Sequence, residues 1–372
     1  MASQPTPPPI NLSDWEALAA AKLPAMARDY FAGGAEDEAT VSGNIAAFEH
    51  WAFRYRVLTG GGTDTTTVLF DRHHSSPVLL APTAMQGLAH PEGEIAAAVG
   101  ARQADTIYCA STVSTRSLEE IATVGGDRWF QLYVFRDRDV SLDLVRRAEE
   151  AGYSALVITV DTPVLGRRER DMRNQFALPE GLTYANFEGR AARSGAAPIG
   201  ASAITRYVAD LFDSTLTWED AAWLIKQTRL PVLLKGIVRA DDAVSAVDAG
   251  AAGVIVSNHG GRQLDHAIGT LDALPEVAAA VGDRGVVMVD GGIRRGTDVL
   301  KALCLGARAV LIGRPYVWAL AADGASGVEQ LLLALQNEVR TSLALIGAPS
   351  VAELIADMVW APRGFTRPGA PG

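Results

Sequence analysis

The sequence predicts a barrel of eight parallel β-strands, each followed by an α-helix. From residue 78 onward, short apolar runs alternate with segments of helical character. Runs that are apolar throughout are typical of parallel strands buried on both faces. Eight such units in series favour a closed barrel, with strands predicted at 78–81, 106–109, 129–133, 155–160, 232–234, 254–256, 286–289 and 309–312. A doubly wound sheet shares the alternation and is the alternative, although no Gly-x-Gly-x-x-Gly follows an early strand.

The composition restricts the class of protein. At 372 residues and 48% hydrophobic content, the chain has the size of one large barrel or two average domains. A net charge of -10 argues against nucleic acid as a partner. No uncharged apolar stretch reaches about 18 residues, so no membrane span is expected. Cys109 and Cys304 lie in apolar segments and are predicted to be core residues, without a disulfide or metal site. This agrees with a reducing cytoplasm, the expected location.

Three segments lie outside the repeating units. The proline-rich residues 1–11 are predicted to be a disordered lead, and residues 12–372 a single domain. Ser13 and Glu16 have the spacing of a helix start with Ser13 as N-cap. An insertion after the fourth strand, at about 163–216, is predicted to be a lid, because the reactive face of a barrel lies at the carboxyl ends of its strands. A closing helix is predicted at 328–346.

The segment 257–265 follows the sixth predicted strand and carries His259 and Arg262. An imidazole can move a proton near neutral pH, and a guanidinium can hold a carboxylate with two parallel hydrogen bonds. A single histidine is more often structural, but the neighbouring Arg262 and the strand-end position favour a catalytic role for His259. Asp161, at the end of the fourth strand, is either a partner that orients His259 or a turn residue before Pro163.

Cations and glycines follow the last strands as well. Backbone N–H groups of glycines can approach an anion closely, and the loops after the seventh and eighth strands are the usual phosphate site of a barrel. These features predict a phosphate site formed by Gly291, Gly292, Arg294, Gly313 and Arg314; the alternative is that the glycines only form tight turns. Lys235, one step past the fifth predicted strand, is either a surface residue or an inward cation that holds negative charge on a reduced ring system; we favour the second.

Several short motifs occur in a fixed order along the chain. They include Ala-Pro-Thr-Ala-Met at 81–85, His-Pro-Glu-Gly-Glu at 90–94, and the segments 161–163, 166–168, 257–265, 290–292 and 312–315. Together they resemble the FMN-dependent 2-hydroxy-acid oxidases and dehydrogenases, which include glycolate, lactate and mandelate oxidases. The resemblance extends from about residue 12 to about residue 350. It is greatest for bacterial hydroxymandelate oxidases, because of the runs 170–174 and 176–179.

The resemblance implies FMN as cofactor and a role for each matching residue. His259 corresponds to the catalytic base and Asp161 to its carboxylate partner. The substrate is expected to contact Arg168, Arg262, Tyr30, Tyr133 and Val113, with Tyr30 and Tyr133 also assigned to catalysis. Lys235 is expected beside N1 and O2 of the flavin. The expected cofactor-binding residues are Pro82, Thr83, Ala84, Ser111, Gln131, Thr159, Lys235, Ser257, Asp290, Gly291, Gly292, Arg294, Gly313 and Arg314.

The implied reaction is the oxidation of an (S)-2-hydroxy acid to the 2-oxo acid, with oxygen reduced to hydrogen peroxide. Val113 stands where glycolate oxidases carry a bulky aromatic residue beside the substrate. A smaller side chain leaves more room, so a mandelate-type or medium-chain substrate is expected. The family further implies a homotetramer.

Two other functions are compatible with the same residues. A dehydrogenase would pass its electrons to a quinone or cytochrome. Ala84 favours an oxidase, as does the absence of a haem domain before residue 12, and Arg190, Arg193 and Arg206 make the insertion a poor membrane anchor. A flavin- or phosphate-binding barrel without redox catalysis would have no need of a base, which the pairing of His259 with Arg262 supplies.

Overall fold

The computed structural model describes residues 9–187 and 213–361, and its centre is a closed barrel of eight parallel strands. Each strand pairs with the next along the chain, and the eighth pairs with the first through Val310 and Val78. This confirms the predicted barrel and excludes the doubly wound sheet. The barrel strands are Val78–Leu80, Tyr108–Ala110, Arg128–Leu132, Ala155–Thr159, Val232–Ile237, Gly253–Val256, Val286–Asp290 and Ala309–Ile312.

Helices surround the barrel and extend it at the N-terminus. Three of them precede the first barrel strand: Leu12–Lys22, Ala25–Ala32 and Ala39–Glu49. The others in the described part of the chain are Glu94–Gln103, Leu118–Ala122, Arg138–Glu150, Glu169–Arg173, Trp218–Ile225, Ala240–Asp248, Thr270–Val281, Gly296–Cys304 and Arg314–Ile346. The last contains non-helical residues at Asp323 and Gly324, so the closing helix predicted at 328–346 is its second half.

The predicted cap of the first helix is wrong by two residues. Asn11, not Ser13, is the N-cap: its side chain accepts a hydrogen bond from Asp14 N at 3.0 Å, and Asp14 Oδ2 accepts from Asn11 N at 3.3 Å. Asn11 and Asp14 form a reciprocal capping box of the kind expected for Ser13 and Glu16, and the helix then buries Trp15. The second helix follows Pro24 and ends at Ala32, with Gly33 as its C-cap.

The barrel interior is apolar at one end and polar at the other. Because side chains alternate along a strand, every second residue points inward. The inward residues nearer the amino ends of the strands belong to one buried cluster, which includes Leu79, Ile107, Cys109, Trp129, Val157, Leu233, Ile255, Met288 and Leu311. The antiparallel hairpin Thr67–Leu69 and Arg72–His74 adds Leu69 to this cluster. The next inward positions, toward the carboxyl ends, are polar: Ser111, Gln131, Thr159, Lys235, Ser257 and Asp290.

Other predictions about the chain are settled only for the described residues. Cys109 and Cys304 are buried and form no disulfide, as predicted. Among residues 9–187 and 213–361, no helix is both long and apolar enough to span a bilayer. The same ranges contain no cluster of three or more potential metal-ligating side chains. Most of the lead and much of the lid fall outside these ranges, as do Arg190, Arg193 and Arg206.

Candidate active site

A cavity of about 420 Å³ opens at the carboxyl ends of the barrel strands. Its size is in the roughly 300–1,000 Å³ range of small-molecule sites. The residues predicted from the sequence converge on it: Tyr30, Pro82, Thr83, Ala84, Ser111, Val113, Gln131, Tyr133, Thr159, Arg168, Lys235, His259, Arg262, Asp290, Gly291, Gly292, Arg294, Gly313 and Arg314. Two predicted residues, Asp161 and Ser257, do not line it. They lie behind His259 and Lys235, to which they are hydrogen-bonded.

His259 and Asp161 form an imidazole–carboxylate pair. Nδ1 of His259 lies 2.9 Å from Oδ1 of Asp161, so the structure favours a partner over a turn residue for Asp161. Burial lowers the pKa of His259, although Asp161 opposes this. Burial alone would raise the pKa of Asp161, but His259 and Lys235 outweigh it and hold that pKa below its ordinary value. A charged Asp161 therefore faces a neutral imidazole, and accepts its Nδ1–H, which leaves Nε2 free to accept a proton.

The backbone around this pair is specialised. His259 has φ +59°, an uncommon value for a residue other than glycine, and its N–H donates to Ser257 Oγ at 3.1 Å. Gly236 has φ +112°, and a Cβ there would lie 2.5 Å from Cβ of Asp161. The strand pairing shifts register between Lys235 and Ile237, on either side of Gly236. Because Gly236 has no Cβ, it leaves space for Asp161, which follows the fourth strand, while Lys235 keeps its inward direction.

Lys235 is an inward cation, as the favoured prediction has it. It lies within the fifth strand, not one step past it, and is 4% exposed. Its Nζ lies 2.9 Å from Asp290 Oδ2 and donates to Ser257 Oγ at 2.8 Å. Burial lowers the pKa of Lys235, but the Asp290 and Asp161 carboxylates outweigh it and raise that pKa overall. The ammonium group therefore stays charged at the floor of the cavity.

Gln131 joins three strand ends into a polar wall. Its Oε1 accepts from Ser111 Oγ at 3.3 Å and Thr112 N at 3.2 Å, and its Nε2 donates to Thr159 Oγ1 at 2.9 Å. These side chains are almost fully buried, so their hydrogen bonds fix their orientation before any ligand binds.

Arg262 lies between backbone carbonyls and an aromatic stack. Its Nη1 donates to Tyr30 O at 2.6 Å and Gly33 O at 2.8 Å, and its guanidinium lies 5.0 Å from the centre of the Tyr30 ring. The ring of Phe176, from the lid, stacks on Tyr30 at 4.8 Å. Burial and the nearby Arg168 lower the pKa of Arg262 to about 10. Two close cations in a largely buried position form a site for a carboxylate.

The other two arginines, Arg294 and Arg314, line the cavity next to the predicted phosphate site. Gly291 and Gly292 have φ of +91° and +83°, and Gly313 precedes the helix Arg314–Ile346. A helix N-terminus directs backbone N–H groups and a positive dipole end at an anion. The Arg314 guanidinium donates to carbonyls of Phe31, Ala32, Gly33 and Gly260, and burial lowers its pKa to about 9. Arg294 is also buried enough for its pKa to fall.

The residues present fit a flavin mononucleotide. Oδ1 of Asp290, a residue that lines the cavity, is buried without a hydrogen-bond partner in the described part of the chain. Such atoms are costly unless a ligand satisfies them. The cavity is lined by the glycines and arginines of the predicted phosphate site, a polar wall with a buried ammonium group, and the Arg168 and Arg262 pair. A phosphorylated, polar ring system and a separate carboxylate complement this arrangement.

Several cavity residues were not predicted as site residues. Asp171, Met172 and Phe176 come from the lid and line the substrate end together with Tyr184 and Met85. The runs 170–174 and 176–179 contributed to the family resemblance, which was the available signal for the first three. Tyr184 carried no signal in the sequence, because nothing in the insertion at about 163–216 indicates which side chain folds back over the cavity.

The fold and the site together define a barrel oxidoreductase with a flavin cofactor. The model of the FMN-dependent dehydrogenase family matches residues 19–361, and the chain belongs to this family. It is 48% identical over 352 residues to L-lactate oxidase from Nostoc sp., covering 93% of this chain and 96% of that protein. It is 49% identical over 353 residues to glycolate oxidase from Spinacia oleracea, covering 92% and 94%.

A solved structure gives the same relationship in three dimensions. The crystal structure of mandelate oxidase with (S)-4-hydroxymandelic acid has a TM-score of 0.88 and 49% identity, covering 95% of this chain and 99% of that chain. The protein is therefore an FMN-dependent 2-hydroxy-acid oxidase, with FMN as cofactor.

Proposed function

We propose that the protein oxidises (S)-2-hydroxy acids with a bulky group on C2, of the mandelate or medium-chain type, to 2-oxo acids, with hydrogen peroxide as the second product. The observation that carries this is the substrate end of the cavity, where Val113 leaves space beside the apolar lid residues Met172, Phe176 and Tyr184. An aromatic or alkyl group buried there gains the free energy of leaving water. The likeness to mandelate oxidase also supports the proposal.

His259 acts as the base. Its Nε2 accepts a proton from the substrate, and the imidazolium that forms is stabilised by Asp161 at 2.9 Å. Because burial lowers the pKa of His259, the imidazole is neutral and ready to accept that proton at neutral pH. Bound FMN supplies the acceptor for the two electrons that leave the substrate together with its two protons.

Arg168 and Arg262 bind the substrate carboxylate and so orient C2. Holding the carboxylate in this way keeps C2 in a reactive geometry, so that the loss of entropy is met on binding and not in the chemical step. Tyr30 and Tyr133 complete the site as hydrogen-bond donors, since burial raises the pKa of each hydroxyl group and keeps it protonated. Lys235 holds a positive charge beside the cofactor position, with Asp290 as its counter-ion.

A panel of 2-hydroxy acids, with peroxide detection under air, tests the proposal. We expect higher kcat/KM for mandelate and medium-chain acids than for glycolate. The variant Val113→Trp should lower the mandelate-to-glycolate ratio of kcat/KM by about 10- to 100-fold, since one pocket side chain typically contributes about 1–3 kcal/mol. Val68→Trp, at a residue that is 44% exposed and does not line the cavity, is the matched control. A preference for glycolate in the unaltered protein would overturn the substrate assignment.

The electron acceptor is tested in the same assay. Stoichiometric peroxide and consumption of oxygen are expected. Slow reoxidation in air combined with rapid turnover on a quinone or cytochrome would indicate the dehydrogenase instead. A flavin absorbance that no 2-hydroxy acid bleaches in the absence of oxygen would indicate a non-redox barrel.

We also propose a homotetramer in the cytoplasm. Support for assembly comes from an exposed apolar group near the C-terminal strand, formed by Tyr55, Val57, Leu58, Leu345 and Trp360. Exposed apolar side chains in one region are typical of an interface between subunits. Light scattering in solution measures the mass directly, and a monomer at all concentrations would refute the tetramer.

A further inference from the structure

Glu94 is a buried carboxylate that the mechanism does not use. It begins the helix Glu94–Gln103, which follows the first barrel strand, and it is 0% exposed. The residue before it, Gly93, has φ +50°, and a Cβ there would lie 2.9 Å from Gly87 N. The chain therefore turns tightly enough to place the carboxylate between two loops. In the described part of the chain no cation pairs with it, and a buried charge of that kind is costly unless hydrogen bonds compensate.

The hydrogen bonds of Glu94 come from two different loops. Its Oε1 accepts from Gln86 N at 3.0 Å, in the loop after the first strand. The same atom accepts from Thr115 N at 2.9 Å, and Oε2 accepts from Thr115 Oγ1 at 2.6 Å, in the loop after the second strand. Gly87 N donates to Thr115 Oγ1 at 3.0 Å. One carboxylate thus joins the two loops through three donors.

Both loops line the cavity. The first contributes Pro82, Thr83 and Ala84 and then Met85, which has φ +54° and donates its N–H to Val113 O at 3.2 Å. The second contributes Val113, the residue expected to decide substrate size. The distance between the cofactor wall at Ala84 and the substrate wall at Val113 therefore depends on the groups that hold the loops together, and the Glu94 carboxyl group bonds to both loops.

Gln86 extends the network to the cofactor wall. Its backbone N–H is held by Glu94, and its Nε2 lies within hydrogen-bond distance of Thr83 O at 3.0 Å, Tyr108 Oη at 2.8 Å and Tyr316 Oη at 3.0 Å. Tyr316 Oη in turn donates to Ala81 O at 3.1 Å. A displacement of Gln86 would therefore reach Thr83, which faces the cavity.

We infer that Glu94 is a positioning residue: it fixes the spacing between the Pro82–Ala84 wall and Val113, and so sets both the affinity for FMN and the discrimination between substrates of different size. The inference rests on the proposed function for its second readout only. The affinity for FMN is measured without turnover.

The test compares Glu94→Gln with Glu92→Gln. The first variant keeps the shape of the side chain but replaces one acceptor oxygen with a donor, so that an amide group meets the N–H and O–H donors of Gln86 and Thr115. The second makes the same chemical change at an exposed residue two positions away. If Glu94→Gln does not fold, Thr115→Val replaces it, because this variant removes the hydroxyl group that donates to Glu94 Oε2. Thr115→Ser keeps the hydroxyl group and is its control.

We expect Glu94→Gln and Thr115→Val to raise the FMN dissociation constant of the apoprotein by about tenfold, as for the loss of a buried hydrogen bond. With saturating FMN, the ratio of kcat/KM for a large and a small accepted 2-hydroxy acid should change by about threefold or more. Glu92→Gln and Thr115→Ser should keep both values. A loss of thermal stability alone, with both values unchanged, would overturn the inference. If the unaltered protein oxidised no 2-hydroxy acid, the proposed function would fail while the FMN titration still decided the role of Glu94.

Discussion

Replacing Asp161 with asparagine tests how the carboxylate controls the base. The change keeps the size of the side chain but removes the charge that lies 2.9 Å from His259 Nδ1. Asp161 opposes the effect of burial on the pKa of His259, so the imidazolium formed on proton uptake would lose its main stabilising partner. A hydrogen bond to a charged group contributes about 1.5–3 kcal/mol, so kcat should fall by about 10- to 150-fold.

The same variant should also change the pH profile. The competent base is the neutral imidazole, so activity falls as pH decreases through the pKa of His259. Without Asp161 burial acts unopposed, which lowers that pKa further. The acid limb of kcat/KM should therefore move to lower pH while the plateau falls. Anaerobic bleaching of the flavin by mandelate, followed by stopped flow from pH 4 to pH 9, measures both effects.

The chain offers a matched control for this experiment. His50 Nδ1 lies 3.4 Å from Asp272 Oδ1 in a partly exposed pair outside the cavity. Asp272→Asn removes the same kind of charge from the same kind of partner and should leave the rate and profile unchanged. An Asp161→Asn variant with the original plateau and an unmoved acid limb would refute the role of Asp161.

Three further predictions concern single side chains. His259→Gln should retain FMN, visible as the flavin spectrum, and lose turnover by about 10²–10⁴-fold; retained turnover would contradict the base assignment. Arg262→Met should raise KM by at least about tenfold, because one of two carboxylate partners is removed; an unchanged KM would count against the clamp. The third residue is Asp265. Burial alone would raise its pKa, but hydrogen bonds from the N–H groups of Thr40, His266 and Ala39 outweigh burial and lower that pKa to about 2, below its value in the unfolded chain. Its stabilising effect is therefore full above about pH 4 and is lost as the pH falls toward about 2. Thermal unfolding of Asp265→Asn should show a deficit at pH 7 that shrinks at pH 3, and a constant deficit would contradict this.

The barrel and much of its polar end could be predicted from the sequence, because they depend on local pattern. Strands that are apolar throughout identify buried parallel strands, and the first polar residue after each one must lie on the reactive face. Lys235 and His259 were placed in this way. Even here the boundary was inexact: the fifth strand continues through Lys235 to Ile237, and Gly236 within it packs closely against Asp161, which follows the fourth strand. No property of residues 232–237 alone reveals that contact.

Residues that reach the site from outside the barrel could not be found by pattern. Tyr30 is buried on a helix and reads as a core aromatic residue; its position over Arg262 follows from how the N-terminal helices fold over the barrel. Only the family resemblance indicated its role. The first helix shows the same limit on a smaller scale. Asn11 and Ser13 are both residue types that cap helices, and the structure has the cap at Asn11, with Leu12 and Trp15 of the helix packed in the core.

The two anion sites are joined through a single backbone carbonyl. Gly33 O accepts from Arg262 Nη1 at 2.8 Å and from Arg314 Nη2 at 2.8 Å. Arg314 is buried near Arg262, and this proximity contributes to the lowering of its pKa to about 9. Two guanidinium groups so placed repel each other, and no carboxylate forms an ion pair with either in the described residues. Carbonyl oxygens relieve part of this repulsion, and the remaining positive charge faces the cavity, where an anionic cofactor and an anionic substrate can neutralise it. The end of the helix that carries Tyr30 is thereby fixed by the same two arginines that flank the ligands, so the substrate end and the phosphate end are positioned by one connected structure.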